Sequence, residues 1–216
     1  MTDNVPASAH PWSLPDQHLK TLIEQGATRA YPKNTVIVSE GDRSDSMYVV
    51  LSGRVKVYLS DESGKELLLR ELGPGEYFGD VVLDDQPRSA SVMTVEPSKF
   101  AVVNVGQFRR FLAENPDAAF EILRSCMQRI RDLTRTVGNL GLMDVYGRVA
   151  QLLMDLSIEE NGKRVIKTRL TQQDIASRVG CSREMISRIL KDLRAGGYLT
   201  GEGENMVIAK KPPKAW

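Results

Sequence analysis

Residues 170–197 read LTQQDIASRVGCSREMISRILKDLRAGG, and the punctuation of this stretch decides how the chain ends. Thr171 followed three residues later by Asp174 is a capping-box start, with Leu170 in front of it as a hydrophobic staple. Gly180 stops that helix after Val179, Ser182 caps a second one, and Gly196-Gly197 stops the second after about Ala195. Two short helices joined by a tight glycine turn form a helix-turn-helix. The next segment, YLTGEGENMVIA, reads as a hairpin, the wing of such a domain.

On the second helix Met185, Ile186, Ile189, Leu190 and Leu193 form the expected buried stripe. Arg183, Glu184, Ser187, Arg188 and Lys191 fall on the opposite face. One reading of that face is a solvated surface closed by a Glu184–Arg188 pair one turn apart. The other is a recognition helix. Arginines reach guanine O6 and N7 in bidentate fashion and a glutamate accepts from cytosine N4, and both types sit near the helix N-terminus, which enters the major groove. Charge favours the second reading. From residue 161 to 216 there are 12 Lys/Arg against 5 Asp/Glu (+7), leaving 17 against 23 (−6) for the rest of a chain whose net charge is +1. A basic end on an acidic body fits a polyanionic partner, double-stranded DNA, at that end alone.

Upstream, DVYGRVAQLLMDLSIEEN reads as a helix and GKRVIKTRL as a β ribbon, so a winged helix-turn-helix domain spans 144–216. Before it, residues 117–142 carry Phe120, Leu123, Met127, Ile130, Thr134 and Val137 at spacings of 3, 4, 3, 4 and 3. That is an a/d seam, flanked by Arg124, Arg129, Arg131, Asp132 and Arg135. A helix of this length either packs its seam on its own domain or pairs with a copy of itself, and the reading here is a homodimer through residues 117–142. Residues 116–143 are thus a dimerisation helix and hinge.

From Tyr31 to about Val105 the pattern changes to short alternating strands: TVIVSE, SMYVVLSGRVKVYL, KELLLREL, SASVMTV and KFAVVNV. Turn chemistry separates them, in EGDRSD, DESG, GPGE, DDQP and EPS. No intervening segment is long enough for a crossover helix, so a small antiparallel sandwich or barrel is expected. A short helix, QHLKTLIEQ, precedes it and VGQFRRFLAEN follows it, giving a domain over 17–115. The polar, proline-rich residues 1–16 read as a flexible arm. The fold class is α+β.

With 216 residues, 41% hydrophobic and 26% charged, the composition is that of an ordinary globular protein. Two cysteines, Cys126 and Cys181, and no secretory segment point to the cytoplasm, and no apolar run is long enough for a membrane span. There is no Ser/His/Asp set, metal-ligand cluster or Walker-type loop, and the only histidines are His10 and His18, so enzymatic chemistry is not expected.

The helix-turn-helix sequence, VGNLGLMDVYGRVAQLL at 137–153, and FGD (78–80) with PRSAS (87–91) together resemble the cAMP receptor protein/FNR family of bacterial transcription regulators. The resemblance runs from about residue 17 to the wing. It implies an N-terminal antiparallel β-roll of the cyclic-nucleotide-binding jelly-roll type, a long dimerisation helix and a C-terminal winged helix-turn-helix. Arg183, Glu184 and Arg188 match the family's base-reading pattern, which implies palindromic TGTGA-like half-sites. Thr171, Gln172, Ser182 and Lys191 are then phosphate contacts, and RNA polymerase becomes a further partner through acidic segments such as DESGKE (61–66).

Gly79, Asp80, Arg88 and Ser89 match the family's phosphate cassette. A guanidinium can bridge two phosphate oxygens, a hydroxyl completes the cradle, Asp80 accepts from a ribose hydroxyl, and Gly79 allows close approach. The structural alternative pairs Arg88 with Asp84 or Asp85. Two features depart from the cAMP pattern: the cassette acid is Asp80 and not glutamate, and Leu133 stands where cAMP-responsive members have a base-binding threonine, leaving only Thr134 with a hydroxyl. The allosteric ligand is therefore read as cAMP, with cyclic di-GMP as the alternative, for which Arg131 and Arg135 could serve, or else the pocket is vestigial. Neither an iron–sulfur cluster, a haem nor a metal is expected, since two cysteines cannot form a four-cysteine cluster and the histidines offer poor axial ligands.

Overall fold

A computed structural model of the protein describes residues 16–43, 45–79, 86–201 and 206–212. Asp80, Asp84 and Asp85 of the acidic loop, His10 and the wing tip at 202–205 lie outside them. The chain divides into two compact units, one of residues 1–59 and 69–132, the other of 60–68 and 133–216.

In the first unit, α1 (Asp16–Gln25) leads into eight strands: β1 (Ala27–Tyr31), β2 (Val36–Val38), β3 (Ser46–Ser52), β4 (Val55–Ser60), β5 (Glu66–Leu72), β6 (Tyr77–Phe78), β7 (Ser91–Thr94) and β8 (Ser98–Asn104). They form two four-stranded sheets, ordered β1-β8-β3-β6 and β2-β7-β4-β5, with antiparallel pairing for β1–β8, β3–β8, β3–β6, β2–β7 and β4–β7. The first sheet is covered on both faces, which explains why β3 and β8 read as nearly continuous apolar runs. Alternation sends Val50 and Phe100 into the core between the sheets, with Val57, Phe78 and Val92. It sends Met47, Val49, Ala101 and Val103 to the other face, against Leu22 of α1 and Phe108 and Phe111 of α2 (Val105–Glu114). α2 starts on a capping box between Asn104 and Gln107.

α3 (Pro116–Leu142) opens with proline at its first position, where the missing N–H costs nothing. Ala118 and Ile122 join the helix-side core of the first unit, and Ser125 is also buried. The opposite stripe is uncovered: Phe120 is 70% exposed and Val137 68%, with Leu123, Met127 and Ile130 between them. Leu133, Leu140 and Leu142 are exposed too, so the apolar stripe is broader than the six-residue seam.

In the second unit, α4 (Val145–Leu156) is capped by Asp144. It ends at Leu156, five residues before Asn161 at the end of the stretch read as helix, because the Ser157 hydroxyl donates to Met154 O (2.7 Å) and Ile158–Glu160 become strand β9. β10 (Lys163–Ile166), β11 (Leu199–Thr200) and β12 (Met206–Ile208) complete a sheet ordered β11-β12-β10-β9, the ribbon and the wing. α5 (Gln172–Val179) and α6 (Arg183–Ala195) begin and end as the residues predict. Gly180 sits at φ +70°, ψ +44°, a left-handed cap that a residue with a Cβ takes at a cost of roughly 1–2 kcal/mol. Leu153, Ile166, Ile175, Ile186 and Leu193 centre the core. Met185 is not in it; at 37% exposure it faces outward.

Phe100 meets Tyr31 and Phe78, each at 5.6 Å between centroids, and Tyr48 at 6.3 Å. Phe100→Ala should therefore cost about 3–5 kcal/mol in urea unfolding of the sandwich, while a helix-turn-helix probe such as Tyr198 fluorescence shows its transition unmoved.

Candidate phosphate cradle and nucleic-acid interface

Two neighbouring aromatics pin the cradle. Tyr77 packs in the helix-side core and Phe78 between the sheets, so Gly79 emerges at a fixed place. Its φ is +83°, and a Cβ there would lie 2.8 Å from Arg88 Nη1 and 3.1 Å from Ser46 O. Glycine is required on both counts. Arg88 is only 4% exposed. Its Nη1 donates to Gly79 O (2.9 Å), and its Nη2 donates to Ser46 O. Burial pushes the Tyr48 hydroxyl up, with the nearby Arg88 cation pulling the other way.

Gly79, Arg88 and Ser89 line one cavity of about 60 Å³, closed by Val38, Val57, Phe78, Ala90 and Val92 and by a residue outside the cassette motif, Arg70. Three of the four cassette residues are thus brought together; Asp80 lies outside the described residues, as do Asp84 and Asp85, the alternative partners for Arg88. Leu133, 49% exposed, and Thr134 sit on the uncovered face of α3 and are not among the described lining. Arg131 donates twice to Gln128 Oε1, at 3.0 and 2.8 Å. A second residue that the motif does not flag, Arg129, lies 4.9 Å over the Tyr77 ring. The signal for it was the inward row Ala118, Ile122, Ser125, Arg129, at spacings of 4, 3 and 4.

On α5, the Thr171 hydroxyl accepts from Asp174 N (3.1 Å), and Asp174 Oδ2 accepts from Thr171 N (2.8 Å), the capping box expected from the sequence. Gln172 opens the helix. Ser182 caps α6 by accepting from Met185 N (3.2 Å). Arg183, Glu184, Arg188 and Lys191 are all exposed. The Glu184–Arg188 pair of the alternative reading is not formed, and among the described residues no hydrogen bond or ion pair engages the four side chains. The other face of α6 is closed by Ile186, Ile189, Leu190 and Leu193. Burial pushes the Cys181 thiol up, away from the thiolate form. His18 packs edge-on against Phe111 at 6.3 Å. Among the described residues no cluster of three His, Cys, Asp or Glu could hold a metal, and no helix is long and apolar enough to cross a membrane.

Residues 28–115 match the family model described as the cyclic nucleotide-binding domain, and residues 147–214 match the Crp-like helix-turn-helix domain. The chain is 30% identical over 201 residues to the cAMP-activated global transcriptional regulator CRP of Pasteurella multocida, covering 89% of this chain and 95% of that one. It is 30% identical over 200 residues to the cAMP-activated global transcriptional regulator Vfr of Pseudomonas aeruginosa, covering 89% and 94%. Among solved structures it resembles the c-di-GMP responsive global regulator CLP of Xanthomonas campestris, at 27% identity and a TM-score of 0.78 over 91% of this chain and all of that one.

Because Glu184 and Arg188 carry no pair in the folded chain, Glu184→Ala and Arg188→Ala should each change the unfolding free energy by less than ~0.5 kcal/mol. Chemical denaturation of the two variants checks this.

Proposed function

This chain belongs to the cAMP receptor protein/FNR family of transcription regulators, and on that premise we propose that it is a homodimeric, nucleotide-gated reader of palindromic DNA. The observation that carries the reading is the outer face of α6. Two arginines, a glutamate and a lysine stand unpaired on a helix whose other face is locked into a core. Side chains held this way are available for base edges, with Arg183 and Arg188 on guanines, Glu184 on a cytosine amino group and Lys191 on a phosphate. Thr171, Gln172 and Ser182 lie at helix starts, where backbone N–H groups also favour phosphate oxygens. The half-sites are TGTGA-like, and RNA polymerase is the further partner.

The uncovered stripe of α3 supports the dimer. A contiguous apolar face of this extent is normally an interface, and a second copy of the same helix offers the complementary surface. The gate is the Arg88 cradle. A phosphate that reaches it meets a guanidinium already held in place by two carbonyls, so little ordering remains to be done on binding. The ligand is a cyclic nucleotide, with cAMP first, as for the CRP and Vfr relatives. Cyclic di-GMP is the second reading, favoured by the likeness to CLP and by Leu133, which has no group to hydrogen-bond a base. Binding gates DNA recognition only through different affinities for two states of the dimer.

Three outcomes are expected. In gel-shift titrations against a TGTGA palindrome, Arg188→Ala should lose about 1–3 kcal/mol of discrimination per base contacted while keeping non-specific binding. Affinity should fall steeply with added salt. In sedimentation, Ile130→Asp should give monomers where the parent protein is dimeric. Binding to the palindrome no tighter than to random DNA would sink the reading.

A further inference from the structure

We propose that Arg70 is a second phosphate-binding residue of this cavity, acting with Arg88 on the same anionic group. The inference rests on the nucleotide-gated reading above and adds a residue that the cassette motif does not contain. Strand alternation places Arg70 on the same face of β5 as Leu72, which is 1% exposed, while Glu71 between them is exposed. An arginine in the apolar run LLLREL is thus turned inward, and its side chain lines the cavity from one strand while Arg88 lines it from the loop before β7. Nη1 of Arg70 and Nε of Arg88 are both out of contact with solvent.

The size of the cavity decides what two guanidinium groups would share. At about 60 Å³ the cavity is small and opens outward, so a phosphate group is the part of a nucleotide that reaches its two arginines. Its remaining described lining is Val38, Val57, Phe78, Gly79, Ser89, Ala90 and Val92. Two guanidinium groups can divide the two non-bridging oxygens of one phosphodiester, which share its single negative charge, and guanidinium–phosphate hydrogen bonds are among the stronger polar contacts a protein makes. The ligand class is any nucleotide presenting a cyclic phosphodiester to this cavity, with the phosphate and not the base read by Arg70.

The test is calorimetry of the full-length protein with cAMP, cGMP and cyclic di-GMP, comparing the parent with Arg70→Gln, Arg70→Lys and Arg88→Ala. Thermal unfolding of each without nucleotide runs alongside. We expect Arg70→Gln to weaken every nucleotide that the parent binds by one common factor, about 10- to 100-fold. Arg70→Lys should recover only part of this, since it keeps charge but loses the fork, and the ligand-free unfolding temperature should not fall in step with affinity. Unchanged affinity in Arg70→Gln while Arg88→Ala abolishes binding would overturn the inference and leave the nucleotide reading intact. Weakening of one nucleotide alone would also overturn it, by making Arg70 a base contact. Failure of the parent protein to bind any of the three would remove the nucleotide reading itself.

Discussion

A guanidinium that is 4% exposed must find hydrogen bonds inside the protein, and the sandwich is arranged around that requirement at Arg88. Two main-chain carbonyls, Gly79 O and Ser46 O, take its terminal nitrogens. To present the first, the chain turns through φ +83° at a residue without a Cβ. To hold that turn still, Tyr77 and Phe78 are driven into different cores on either side of one sheet. The second carbonyl comes from the first residue of β3, whose neighbours Met47 and Val49 are fully buried.

Two helices follow one pattern, each committing one face to its own core and leaving the other exposed. On α3 the exposed face is apolar over six turns, which is the observation behind the proposed dimer. On α6 it is charged and unpaired, and only a polar, largely anionic lattice of groups can use it. Gly180 links the two halves of the DNA-reading motif by a left-handed turn that sets the exit from α5 and so the start of α6.

Much of this was legible in the residues. Capping and stop signals bounded α5 and α6, since Thr171, Gly180, Ser182 and Gly196 act locally and their effect does not depend on distant contacts. Strands with a buried face, such as β3 and β8, announced themselves. β1 did not, because ATRAY is exposed along almost its whole length, and Tyr31 alone packs against β8, on Phe100. β9 was read as the tail of α4 because Ile158-Glu159-Glu160 is equally acceptable to a helix, and the Ser157 cap that ends α4 has no strong signature. Met185 satisfied helical periodicity yet fell at the margin of the stripe. That Gly79, Arg88 and Ser89 would lie together was legible from the motif; that Arg70 lines the same cavity and Arg129 lies over Tyr77 was not, since each is distant in sequence and meets its neighbours only after the strands and α3 are packed.

A dimer that links nucleotide to DNA has a reciprocal signature, because each ligand must change the other's affinity by the same factor. The most direct measurement is the affinity for a TGTGA-palindrome duplex, at one moderate salt concentration, without nucleotide and at saturating cAMP, cGMP or cyclic di-GMP. Nucleotide affinity is then measured with and without saturating duplex. The result predicted is that one nucleotide changes duplex affinity and that the duplex changes that nucleotide's affinity by the same factor. A duplex affinity that stays the same with every nucleotide would contradict it.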